Sequence, residues 1–168
     1  MDAPKISRRG MHILIFWLVT GLAVLLDQAT KAAVRVAAPT EGYIGTLIPG
    51  LIDLNHIENA GAAFSIGQGA GHIFTLVAVV AIGVTFAIVC TEELPPYLTV
   101  SLACIAGGGA GNMVDRVMHG TVTDFLATTF MDFPIFNVAD IFVTCGVAAS
   151  FVGYIVWDRA LRADQRES

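Results

Sequence analysis

The sequence predicts an all-α membrane protein with four transmembrane helices and a small extracytoplasmic β-like subdomain between the first and second helices. Hydrophobic residues make up 55% of its 168 residues and charged residues only 14%, whereas soluble domains carry about 25% charged residues. So few charges cannot cover a water-soluble domain, and the length suits one domain, residues 1–168. The net charge of −5 offers no basic surface to a nucleic acid. Composition therefore argues against a soluble enzyme, a disordered chain and a nucleic-acid-binding protein.

Four long segments that lack Asp, Glu, Lys and Arg define the predicted spans. These segments are residues 10–26, 59–91, 94–114 and 141–157. About 20 apolar residues cross a bilayer core as a helix, and a helix satisfies its own backbone polar groups in lipid. We place the spans near residues 12–26, 73–90, 98–117 and 138–157. The first span is expected to end at Asp27.

The segment between the first two spans has a different composition. Four glycines, Gly61, Gly67, Gly69 and Gly71, interrupt the first half of the second charge-free segment, so we expect only one helix there. Residues 46–65 are rich in Ile, Leu and Gly, with scattered polar side chains. This composition predicts short outer strands, which must be covered by protein wherever they lie at membrane depth.

The distribution of basic residues predicts the orientation. Six flank the first and last spans on the terminal sides, namely Lys5, Arg8, Arg9, Arg159, Arg162 and Arg166, and three lie at the opposite ends, namely Lys31, Arg35 and Arg116. The positive-inside rule therefore predicts cytoplasmic termini, with residues 27–72 and 118–137 outside. A cleaved secretory signal is an alternative for the first span. We favour an uncleaved helix because three more spans follow.

Two aspartates are the strongest candidates for chemistry. Asp124 and Asp140 have apolar neighbours and no Lys or Arg within four positions, and both are predicted at the outer rim of the bilayer. Two carboxylates in a dry site share one proton, so one can activate water while the other protonates a carbonyl oxygen or leaving amine. Two structural alternatives stay open: Asp140 can belong to a helix N-cap formed by Asn137, and Asp124 can be a turn residue.

Other polar residues can support this pair. Asp27 and Lys31 have the spacing of a helical ion pair, which can also simply hold a helix end at the interface. Asn112 and Arg116 lie on one helical face after a glycine-rich stretch suited to close helix packing. Arg116 can bind a carbonyl or a lipid headgroup, or balance Asp115.

The sequence points to no metal ion or cofactor. The histidines His12, His56, His72 and His119 are scattered, and neither a His-Glu-x-x-His motif nor a nucleotide-binding loop is present. The cysteines Cys90, Cys104 and Cys145 lie in the predicted spans without a Cys-x-x-Cys pair. We expect them to be small buried hydrophobic residues rather than disulfide or redox groups.

Several blocks in order along the chain match one family. They are Asp27-Gln28-Ala29-Thr30-Lys31, Asn59-Ala60-Gly61-Ala62-Ala63-Phe64, Gly107-Gly108-Gly109-Ala110-Gly111-Asn112-Met113-Val114-Asp115-Arg116, Val122-Thr123-Asp124-Phe125 and Phe136-Asn137-Val138-Ala139-Asp140. The glycine block through Arg116 and the block ending at Asp140 are highly specific. With them, the chain resembles the lipoprotein signal peptidases, or signal peptidase II, which are aspartyl proteases of the bacterial inner membrane.

The resemblance implies roles for individual residues. Asp124 and Asp140 would be the catalytic pair, and Asp27 and Lys31 would support the site. The residues that line and orient the site would be Asn59, Gly61, Asn112, Arg116 and Asn137. The implied substrate is a prolipoprotein, cut just before a cysteine that carries diacylglycerol, in contact with membrane lipids. Neither a cofactor nor an obligate protein partner is implied.

Two other functions are compatible with four apolar helices. A small proton-coupled transporter would use membrane carboxylates as a proton relay. It predicts acidic residues near the bilayer midplane, whereas the middles of the predicted spans contain none. A membrane scaffold would use the glycine block as a dimer face. Cleavage of a diacylated prolipoprotein peptide distinguishes the peptidase from both.

Overall fold

The computed structural model describes residues 7–61 and 71–167 and has four helices and three strands in them. In chain order these are α1 (Arg8–Ala37), β1 (Gly42–Ile48), β2 (Ile52–Asn59), α2 (Gly71–Thr91), α3 (Pro96–His119), β3 (Val122–Thr128) and α4 (Val138–Glu167). All four helices are long and apolar enough to cross a membrane, so the predicted class is confirmed. Some residues used in the sequence analysis lie outside the described ranges: Lys5, Gly67, Gly69 and the Ala62-Ala63-Phe64 part of one block.

The first and last helices are longer than predicted. The expectation that Asp27 ends the first span is wrong, because α1 continues to Ala37 and Asp27 lies fully buried within it. An acid can lie inside this helix because Lys31, one turn later, neutralises it. The last helix, α4, continues beyond residue 157 to Glu167, where polar residues suit a helix that leaves the bilayer.

Small residues let α3 occupy the centre of the bundle, where it packs against each of the other helices. Gly107 lies against the α1 backbone at Thr20, and Gly108 lies against the carbonyl oxygen of Ala139 in α4. A side chain at either position would separate the helices. The predicted packing role of this glycine block is confirmed.

The small sheet has three antiparallel strands in the order β1-β2-β3. Two of them come from the predicted region between the first and second spans, but β3 comes from the connection between α3 and α4. Asp124 lies within β3, opposite Ile57 of β2, so the turn alternative for Asp124 is wrong. The β3 segment is buried from Val122 to Leu126. It therefore lacks the polar-apolar alternation that would have marked it as a strand.

Substitution of Gly108 by Ala is expected to destabilise the bundle by about 1–3 kcal/mol, because the added methyl group meets the α4 backbone. Gly83→Ala in α2 is the matched control, since no atom lies within 4 Å of the position a methyl group would take there. Thermal unfolding of both variants in detergent measures the difference. Equal unfolding temperatures for the two variants would contradict this packing account.

Candidate active site

Asp124 and Asp140 line one cavity of about 500 Å³ at the end of the bundle where α3 ends and α4 begins. Asp124 is held by strand β3, and Asp140 lies in the first turn of α4. The cavity wall is mostly apolar and includes Ile135, Phe136 and Ile141. The structure thus brings two acidic side chains from separate segments into a largely apolar cavity.

A single asparagine connects the two aspartates. The fully buried Asn137 donates from its side-chain Nδ2 to Asp124 Oδ1 at 2.6 Å and from its backbone N–H to Asp140 Oδ2 at 3.0 Å. Its own Oδ1 accepts from the backbone N–H of Asp140 at 3.1 Å. The last two bonds form a reciprocal N-cap, so the capping prediction for this pair is confirmed. The same residue caps α4 and orients both carboxylates.

Neutral amides also bind the remaining carboxylate oxygens. Asn59 Nδ2 donates to Asp124 Oδ2 at 2.9 Å, and Asn112 Nδ2 donates to Asp140 Oδ1 at 2.8 Å. No Lys or Arg among the described residues forms an ion pair with either aspartate. The two carboxyl groups are therefore oriented without a contacting cation that would fix both as anions.

The environment of Asp124 favours its protonated form. Burial raises the pKa of Asp124 to about 6, and the nearby charge of Asp140 acts in the same direction. Hydrogen bonds from Asn59 and Asn137 oppose this rise without cancelling it. Near pH 6, this carboxyl group can therefore bind and release a proton.

A cluster of buried ions lies beside the aspartate pair. Lys31 Nζ is 2.9 Å from Asp27 Oδ2 and 3.0 Å from Asp115 Oδ2, and all three side chains are fully buried. Arg35 Nη2 is 2.8 Å from Asp115 Oδ1. With two cations and two anions, the cluster has no net charge. Burial of these charges is tolerable only because each has a partner.

This ion cluster binds the backbone next to each aspartate. Asp27 Oδ1 accepts from the N–H of Ala139, which precedes Asp140, at 2.9 Å. Asp115 Oδ2 accepts from the N–H of Thr123, which precedes Asp124, at 3.2 Å. The two acids of the cluster therefore hold α4 and β3 at the site.

The cluster also contacts the amide network directly. Lys31 Nζ donates to Asn112 Oδ1 at 2.8 Å, and the same oxygen accepts from Asn137 Nδ2 at 3.0 Å. Gly111 provides the space, since a methyl group there would lie 2.5 Å from Asp27 Oδ2. A continuous set of polar contacts thus leads from Lys31 to both aspartates.

Comparison with known proteins identifies the family. Residues 19–156 match the family described as signal peptidase (SPase) II. The chain belongs to the signal peptidase II family. It is therefore a membrane protease, as the resemblance predicted, and the transporter alternative finds no support.

Individual relatives cover nearly the whole of this signal peptidase II. The lipoprotein signal peptidase of Symbiobacterium thermophilum is 40% identical over 82% of this chain and 92% of its own. The lipoprotein signal peptidase of Enterococcus faecalis is 34% identical over 89% of this chain and 93% of its own. A solved bacterial membrane enzyme superposes with a TM-score of 0.73 at 28% identity, covering 92% of this chain and 93% of its own. Both the sequence and the fold are similar over most of the chain.

Arg116 and Gly61 lie together at the edge of the cavity of this signal peptidase II. Arg116 Nη2 donates to the Gly61 carbonyl at 3.2 Å, and its guanidinium group lies 5.2 Å from the centre of the Phe74 ring, a cation–π distance. Asp115 forms its ion pairs with Lys31 and Arg35 instead of Arg116. The guanidinium group of Arg116 is thus part of the cavity wall.

Two polar residues of α1 whose role the sequence did not indicate, Gln28 and Arg35, complete the ion cluster. Gln28 Nε2 lies 3.1 Å from oxygens of both Asp27 and Asp115, and Arg35 Nε donates to Thr123 Oγ1 at 2.9 Å. Their spacing from Lys31 places them near one side of the helix. This periodicity would have revealed them if the helix had been extended past Asp27.

A second polar group supports β3 from the side of β2. Glu58 accepts hydrogen bonds from Thr121 at 2.6 Å and from Thr123 and His56 at 2.9 Å. Burial tends to raise the pKa of Glu58, but these hydrogen bonds outweigh burial and lower it. Glu58 therefore stays ionised beside the strand that carries Asp124.

The described residues contain no group of three His, Cys, Asp or Glu side chains able to hold a metal ion. The expectation that the three cysteines are buried is wrong, because Cys90 and Cys104 are partly exposed, and Cys145 is exposed and lines the aspartate cavity. It lies on the cavity side of α4, about one turn beyond Ile141.

Substitution of Lys31 by Met is expected to destabilise the protein by about 3–5 kcal/mol, because two buried carboxylates lose their shared cation. Arg162→Met is the matched control, since Arg162 forms an ion pair of the same spacing with Asp158 but is 71% exposed. Loss of that pair is expected to cost at most about 1 kcal/mol. Thermal unfolding in detergent compares the two, and similar losses would contradict the account.

Proposed function

We propose that this signal peptidase II removes signal peptides from prolipoproteins, cutting just before a cysteine that carries diacylglycerol, with Asp124 and Asp140 as its catalytic pair. The observation that carries the proposal is the meeting of these two carboxyl groups in one cavity. Both bind Asn137, and neither forms an ion pair with a described Lys or Arg. Such a pair can hold one proton between two acids.

The two aspartates take different roles in the proposed reaction. Asp140 acts as the base, because it lies in the first turn of α4, where the helix dipole stabilises an anion. Asp124 acts as the acid, because its buried setting favours the protonated form. Asp140 removes a proton from water, the water oxygen bonds to the scissile carbonyl carbon, and Asp124 protonates the carbonyl oxygen.

Collapse of the tetrahedral intermediate completes the reaction. The carbonyl double bond forms again, and its oxygen returns a proton to Asp124. The bond from carbon to nitrogen breaks while Asp140 gives the proton that it took from water to the leaving amine. The products are a carboxylic acid and an amine, and the pair regains its starting protonation.

The membrane supplies the positioning energy in this proposal. The diacylglyceryl chains and the apolar signal helix remain in lipid, so they keep the scissile bond at the membrane surface. The free energy gained by binding these remote groups holds the reacting carbonyl in the orientation that the reaction requires. Arg116, in the cavity wall, is proposed to bind a carbonyl of the substrate backbone.

The proposed orientation places both termini in the cytoplasm and the aspartate cavity near the extracytoplasmic face of the bacterial inner membrane. Arg8, Arg9, Arg159 and Arg162 lie at the helix ends opposite the cavity, where the positive-inside rule places the cytoplasm. Lys31 and Arg35 belong to the neutral ion cluster. The substrate and the surrounding lipids are the proposed partners, without an obligate protein partner.

Asp124→Asn and Asp140→Asn are each expected to lower the cleavage rate by about 10²–10⁴-fold or more, because each removes an acid–base group. The assay uses purified protein in detergent and a synthetic prolipoprotein peptide with a diacylated cysteine. Asp53→Asn is the control, since Asp53 lies in β2 and hydrogen-bonds Thr46. Near-normal cleavage by either catalytic variant would contradict the assignment.

The pH dependence of cleavage tests the assigned roles. Asp124 must be protonated to act as the acid, and its pKa lies at about 6. We therefore expect kcat/KM to fall as the pH rises through about 6. Glu58→Gln should retain this decline, because Glu58 is outside the catalytic pair. A kcat/KM that rises between pH 5 and 8 would instead make Asp124 the base.

A further inference from the structure

A second cavity, of about 520 Å³, lies at the end of the bundle opposite the aspartates, between the last turns of α2, the start of α3 and the second half of α4. Most of its wall is apolar. Both charged side chains that line it among the described residues are acidic, Glu92 and Asp158. The apolar part of the wall consists of Ile88, Leu94, Leu98, Leu102, Trp157 and Leu161.

One face of α3 connects this cavity with the active site. Leu98 and Leu102 line the distant cavity, and Asn112 and Arg116 line the aspartate cavity. Ile105 and Gly109 lie between these two pairs. Successive residues in this series are three or four positions apart, so all of them lie on one side of the helix. A methyl group at Gly109 would meet Ala78 of α2, and one at Gly146 of α4 would meet Ile105. Because α2 and α4 both pack on α3 rather than mainly on each other, this face lies in the groove between them.

The acidic residues at the far end of this groove run against the usual composition of cytoplasmic loops. Such loops carry an excess of Lys and Arg, whereas the connection between α2 and α3 carries Glu92 and Glu93 and no basic residue. Asp158 is half-buried and forms an ion pair with Arg162 at 2.9 Å, whereas Glu92 is exposed. An exposed carboxylate beside an apolar wall is complementary to a peptide segment in which basic residues are followed by apolar residues.

The length of the groove also fits such a segment. About 27 Å of helix separates Asp140 from Asp158 at 1.5 Å per residue. A signal peptide of about 15–30 residues has a positively charged n-region followed by about 7–15 apolar residues and a cleavage site. An apolar region of about 15 residues spans about 23 Å as a helix, and the residues of the cleavage site add the remaining length. With the cleavage site at the aspartates, a helical signal peptide would therefore place its basic end near the second cavity.

We infer that the recess formed by Glu92, Asp158 and the adjoining apolar wall binds the basic n-region of the signal peptide and selects substrates far from the scissile bond. This inference rests on the proposed function and orientation. The n-region makes the same contacts in the bound substrate and in the transition state. These contacts therefore lower KM and leave kcat unchanged.

The test compares two diacylated prolipoprotein peptides that differ only in lysine or glutamine residues in the n-region. With the unaltered protein, KM is about two- to five-fold lower for the lysine peptide, as expected for a partly exposed ion pair. Glu92→Gln removes most of this difference. Glu93→Gln is the matched control and keeps it, because the neighbouring Glu93 does not line the recess.

A charge exchange separates recognition from a structural effect. Glu92→Lys raises KM for the lysine peptide, and a peptide with glutamates in its n-region recovers the lower value. Equal KM values for the lysine and glutamine peptides with the unaltered protein would overturn the inference while leaving the proposed function intact. An absence of cleavage of either peptide would overturn both.

Discussion

The structure of this signal peptidase II depends on a buried lysine shared by two aspartates. Lys31 lies between Asp27 and Asp115 with all three side chains fully buried. Charges in a membrane protein are costly unless they are paired, so each of the three requires the others. Because the two acids also bind the backbone of α4 and β3, the ion cluster and the positions of the segments that carry Asp124 and Asp140 are maintained together.

The structural acids and the proposed catalytic acids differ in the kind of partner that each contacts. The structural acids, Asp27 and Asp115, contact cations. The proposed catalytic acids, Asp124 and Asp140, contact amides, chiefly those of Asn137, which orient a carboxyl group without neutralising it. A short path through Asn112 connects the two groups. Cations thus stabilise the packing of the helices and β3, and no described cation forms an ion pair with the proposed catalytic pair.

The sequence alone predicts the four helices and the importance of Asp124 and Asp140, because charge-free segments and isolated acids near a membrane are strong local signals. It does not predict β3, since a strand buried over most of its length shows no alternation. Nor does it predict that α1 continues beyond Asp27, because that depends on the partners that α3 supplies. The ion pair between Lys31 and Asp115 joins two helices. Sequence spacing within one helix therefore reveals only the pair of Asp27 and Lys31.

The most direct test of this account is infrared difference spectroscopy of the purified protein during a pH titration, with Asp124→Asn as the reference. We expect a protonated carboxyl band that disappears as the pH rises, with a midpoint at about pH 6, and that is absent from the Asp124→Asn variant. If the band were present in that variant with the same midpoint, or if Asp124 were fully ionised at pH 5, the two aspartates would not share a proton as proposed.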